Sequence, residues 1–201
     1  AMLVNPFMTY YAGEQQIIKG FFQEIVERLV KMKSYGNSRM QKTPWAFDAE
    51  IFKIIADRLC LENKVKILFH AFVTGVKRSE GKITGIEVAT KDGLKTFFAH
   101  TYIDATGDGD LAFLAGAEMV KGRSEDGLCQ PMTLNFQMAH VDLDQIPSRE
   151  IMTASYKEAK DQGVINCPRE DVLFFYTTNP GVVHFNQTRI ISYDATNPWE
   201  L

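Results

Sequence analysis

Two short stretches carry side chains whose types and spacing could do chemistry. In the first, G-D-G-D-L-A over residues 107–112, glycines alternate with the carboxylates of Asp108 and Asp110, and Asp104 lies just upstream. The pattern fits the dinucleotide fingerprint G-x-G-x-x-[GA], since a strand-like run precedes it and a helix-like run follows. As a first phosphate-binding turn it is disfavoured. Its variable positions are carboxylates beside the place where phosphates would lie, and like charges about 4 Å apart repel by about 1 kcal/mol even in bulk water. The chain then leaves through the connector "KGRSEDG" instead of entering a parallel strand that ends in an acid. What the turn can do is place Gly107, which has no side chain, at the carboxyl end of a strand, where ligands of open α/β sheets bind. Asp110 then falls in the first helical turn and complements its dipole. The same stretch begins like a calcium loop, with Asp104, Asp108 and Gly109 at positions one, five and six. Position twelve is Ala115, so the bidentate ligand is missing. A magnesium site on Asp104, Asp108 and Asp110 suffers because one carboxylate belongs to a strand and two to a turn. No metal is expected.

The second stretch is "VVHFNQTRI". His184 and Asn186 share a strand face by the period of two, and Arg189 follows on the same run. An imidazole titrating near neutrality moves protons, and a guanidinium fork holds an anion. The plain alternative is an ordinary surface strand. His70 and His100 read as structural imidazoles in half-buried strands, and His140 ends a strand. Cys129 has no neighbouring cysteine to resolve a disulfide, so a packed thiol is expected. No G-x-S-x-G elbow or Ser-His-Asp ordering supports a hydrolase.

The elements that must position these residues are legible as changes of period. Ile18, Phe22, Ile25, Leu29 and Met32 mark an amphipathic helix over 14–33. After the loop "SYGNSRMQKTP" a second helix starts at Asp48, which can cap it while Phe47 staples against Phe52. Ile51, Ile54, Ile55 and Leu59 are expected to face inward, with the helix ending near Asn63. From Val65 the period becomes two. "KVKILFHAFVTGVKRSEG", "KITGIEVATKDG" and "LKTFFAHTYIDATG" read as a β-meander whose long first run bends near Ala71. The helix-like "DLAFLAGAEM" and the strand "PMTLNFQMAHV" follow. Ser148 then caps a helix that Gly163 ends, and "DVLFFYTT" and "GVVHFNQTRIISY" read as strands.

The chain has 201 residues, 45% of them hydrophobic and 23% charged, which is ordinary for a globular protein able to bury a core without metal or disulfide staples. Twenty-two basic and twenty-five acidic residues give a net charge of −3 without basic runs, so no nucleic-acid partner is expected. Three scattered cysteines read as reduced thiols in a cytoplasmic protein. The apolar runs fall short of a membrane span, no signal peptide is evident, and no membrane partner is expected. "NQT" at Asn186 is a formal glycosylation sequon, read as incidental. The chain opens on "LVNPF" and stops on "NPWEL", which is expected of an internal piece of a longer protein.

The segment from "VKILFHAFVTGV" through "IDATGDGDLAFLAGAE", preceded by "FDAEIFK", resembles the FAD-dependent oxidoreductases that share an "ATGDGDLA" segment, within the glutathione-reductase-like flavoproteins. The match spans about residues 45–120 and extends more loosely to "NPFMTYY", "CQPMTLNF" and "VHFNQTR". The resemblance implies an α/β (α+β) fold in two parts. Residues 1–125 would be the central part of a Rossmann-like FAD-binding layer with a β-meander, and 126–201 the beginning of a β-rich substrate domain. It implies FAD as cofactor, contacted by Val73, Ala105, Thr106, Gly107, Asp108 and Gly109, and a small organic substrate met by His184 and Arg189. The family's upstream G-x-G-x-x-G is missing, so the chain by itself is expected to be inactive and to hold FAD weakly or not at all. The competing expectation is a non-catalytic α/β domain in which the A-T-G turn is only a tight junction.

Overall fold

The computed structural model describes residues 11–12, 15–36, 46–197 and 199. Most of "NPFMTYY" and of the loop "SYGNSRMQKTP" lies outside them. The elements are mixed α and β, as expected, and fall into two compact units. One unit joins the residues up to Lys64 with those from Cys129 onward; the other is Val65–Leu128.

In the first unit the short antiparallel strands β1 (Tyr11–Ala12) and β2 (Gln15–Gln16) precede helix α1 (Phe21–Lys31). The helix starts later than the apolar spacing predicts because Gly20, at φ +65°, breaks the helical path; Ile18 stays outside it. Helix α2 (Ala49–Glu62) begins where Asp48 predicts. The Asp48 carboxylate accepts from the amides of Glu50 (2.8 Å) and Ile51 (3.2 Å), and the Phe47 and Phe52 rings pack tilted with centroids 5.6 Å apart. Leu29, Phe47, Ile55 and Leu59 form the core between the helices. Ile54, expected inward, is 41% exposed. Arg28 bridges Glu24 and Glu62 across the helix pair.

In the second unit β3 (Ala71–Ser79), β4 (Lys82–Thr90) and β5 (Gly93–Phe97) form the antiparallel meander. Glu80 and Gly81, both at positive φ, make a two-residue turn whose twist matches the strands. Between Val73 and Gly75 the register slips by one residue, a bulge at Thr74. The short helix α3 (Asp110–Leu114) follows, and Gly116 at φ +77° stops it well before the expected end. The strand readings for 65–69 and 101–105 need correcting. Neither run pairs with a strand among the described residues, and Phe69 and Ile103 are 64% and 84% exposed. His70 and His100 are therefore exposed and outside strands. Val88 and Leu111 are this unit's buried apolar side chains.

Back in the first unit, β6 (Phe136–Met138), β7 (Phe174–Tyr176) and β8 (Val183–Phe185) pair antiparallel in the order β6-β8-β7. Helix α4 (Arg149–Asp161) is capped by Ser148 and followed by Gly163 at φ +74°, as the sequence predicts. Its Tyr156 packs with Val172, Phe174, Tyr176 and Val183 in a second core. No helix among the described residues is long and apolar enough to cross a membrane.

Candidate functional site

The turn after Ile103 is built by Asp104. One carboxylate oxygen accepts from the amide of Thr106 (3.0 Å) and from its hydroxyl (2.7 Å), and the other accepts from the amide of Ala112 (2.8 Å). The Thr106 hydroxyl in turn accepts from the Asp110 amide (2.9 Å). The Thr106 hydroxyl first, then the Ala112 amide, hold the Asp104 carboxyl below its ordinary range. Asp104 is thus committed to bracing the turn, which removes it from any ligand set. No cluster of metal-binding side chains occurs among the described residues.

The brace leaves the rest of the turn open. Ala105, Thr106, Gly107 and Asp108 are exposed, and a Cβ added at Gly107 would meet nothing within 4 Å. The amides of Gly107 and Asp108 donate to nothing among the described residues. Gly109 differs: it sits at φ +72° as the first boundary of α3, and a Cβ there would press on the Met119 methyl at 3.0 Å. Val73 is half-buried on β3 opposite Val88, at the edge of the bulge. An exposed glycine flanked by free amides lets a ligand approach the backbone where no side chain stands.

A separate constellation lies in the first unit. Phe136 faces Phe185, yet four residues back Met132 faces Ile190, five residues on. The extra residue on the 186–190 side breaks the alternation. Strict period two would turn Arg189 away from Asn186; with the offset both line one cleft of about 530 Å3. Gln130, Thr133, Asn135 and Arg169 complete its polar lining, and Pro131 and Met132 supply an apolar wall. Thr188 pins the offset, since its hydroxyl accepts from the Leu134 amide (2.7 Å) and donates to the Leu134 carbonyl (3.1 Å).

His184 does not line this cleft. It lies on β8 between Gln137 and Phe175, only 2% exposed, and neither ring nitrogen has a partner among the described residues. Burial lowers its pKa, so the imidazole is neutral at physiological pH. Arg169 and Asn135 were not singled out from the sequence. A lone arginine in "NCPRED" carries no periodic signal, and its position depends on pairing between distant segments. Cys129, expected to be packed, is exposed, as are its neighbours Leu128 and Gln130.

A family model described as FAD dependent oxidoreductase matches residues 1–199. No curated protein and no solved structure matches the chain.

Proposed function

The chain belongs to the FAD dependent oxidoreductase family, and from that premise we propose that it uses FAD to oxidise or reduce a small organic substrate. The turn at 105–109 and Val73 would contact the cofactor, and residues from 126 onward would face the substrate. Bound FAD supplies the electron acceptor or donor, and the protein supplies position and electrostatics. Ala105, Thr106 and Gly107 offer backbone to the dinucleotide, with Asp108 and Gly109 flanking it. Arg189 would hold an anionic group of the substrate in the cleft it shares with Asn186. His184, 2% exposed between Gln137 and Phe175 and outside this cleft, does not fit the proton-transfer role expected of it. Three free cysteines support a reducing, cytoplasmic setting.

The observation that carries the cofactor contact is the open glycine turn. Gly107→Val tests it cleanly, because the position has room for a side chain and no positive φ to strain. FAD titrated in excess into the purified chain is expected to bind weakly, with Gly107→Val weakening it further by at least tenfold while the melting temperature stays put. A valine variant that binds it equally well would overturn the assignment.

A further inference from the structure

We infer that the cleft between the 130–135 segment and residues 186–189 is a carboxylate-binding subsite, and that Arg169 is its buried anchor. The inference rests on the reading of residues 126–201 as the substrate side and gives that substrate a chemical class.

Arg169 is 8% exposed, although a guanidinium is always charged and carries five N–H donors. One nitrogen, Nη2, donates to the Asn186 carboxamide oxygen at 3.3 Å, a long contact, while Nε is buried with no partner. No ion pair joins Arg169 to a carboxylate among the described residues, and the adjacent Glu170 and Asp171 are exposed. Burying a cation without a counter-ion is costly, and natural proteins keep such an arrangement where an anion completes it. Arg169 borders the cleft together with Arg189, so two guanidiniums face a space whose lining holds no acid.

The neutral groups agree with an anionic guest. Asn186 turns its oxygen to Arg169, which leaves its amide nitrogen as a further donor. Pro131 and Met132 give one wall that water gains nothing by wetting, so the guest has an organic body and is more than a free inorganic anion. The volume of about 530 Å3 suits a small organic acid. A planar carboxylate also matches the guanidinium fork with two parallel hydrogen bonds.

Calorimetric titration of the whole chain at low salt with succinate, acetate, succinamide and inorganic phosphate tests the subsite. Succinate and acetate are expected to bind, succinamide at least tenfold more weakly, and phosphate more weakly than succinate. Arg169→Gln should lower succinate affinity at least tenfold, and Arg169→Lys, which keeps charge without the fork, should fall between. If Arg169→Gln does not fold, judged by circular dichroism, the half-buried Arg189→Gln decides by the same tenfold criterion. Equal binding of succinamide, phosphate binding as tight as succinate, or wild-type affinity in Arg189→Gln would overturn the inference. FAD uptake read from visible absorbance in the same samples separates the two claims. FAD bound without carboxylate binding overturns the subsite alone; carboxylate binding supports the subsite whether or not FAD is taken up.

Discussion

At the scale of single residues, side chains that looked reactive in the sequence divide into braces and open groups. Asp104 is a brace, and its lowered pKa has a definite consequence. A carboxyl whose folded pKa is depressed contributes stability above its unfolded value and loses it as pH falls through the folded one. Amide exchange at residues 105–112 is therefore expected to quicken below about pH 4, and Asp104→Ala should quicken it already at neutral pH, with Asp104→Asn in between. His184 works in the other direction of charge. Its unfolded imidazole binds a proton near pH 6.5 while the buried one resists, so the unfolded state gains protons first and stability drops as pH falls below that value. Urea midpoints between pH 7.5 and 5 should decline in the native chain, and His184→Gln should remove the part of that slope due to this group. The two glycines of the turn also separate. Gly109→Ala should cost about 1–2 kcal/mol for forcing a side chain into the left-handed region, whereas Gly107→Val should cost almost nothing in urea.

At the scale of elements, capping and packing account for where helices begin and what they bury. Asp48→Ala should destabilise the α1–α2 pair by about 1 kcal/mol, and Leu29→Ala, which empties a fully buried site, by about 3 kcal/mol. Denaturant curves read by far-ultraviolet circular dichroism would separate those magnitudes. Glycines at positive φ truncate α1 at its start and α3 at its end, against the longer helices that apolar spacing alone predicts. The decisive element for the substrate side is no regular strand at all. One additional residue between Phe185 and Ile190 re-aims Arg189 into the cleft, a result that alternation along a single segment contradicts.

At the scale of the whole molecule, the two compact units differ in how much apolar surface they close. The first holds two cores, whereas Val65–Leu128 buries Val88 and Leu111 and leaves Phe69, Phe72, Phe98 and Ile103 mostly exposed. The native chain is therefore expected to bind the dye ANS at neutral pH, and the pair Phe69→Ser and Ile103→Ser should reduce that fluorescence without lowering the melting temperature. What the sequence by itself determined is local: the caps at Asp48 and Ser148, the meander with its tight turns, the glycine-opened A-T-G turn and the resemblance to flavin oxidoreductases. Each depends on neighbours a few residues apart, whose sterics and hydrogen bonds act before any long-range pairing. Tertiary structure alone decided that Asp104 is spent inside its own turn, that His184 is sealed away from the cleft, and that Arg169 meets Arg189 and Asn135 there. Those outcomes depend on the register between segments tens of residues apart, where a shift of one residue reverses which side chains share a face.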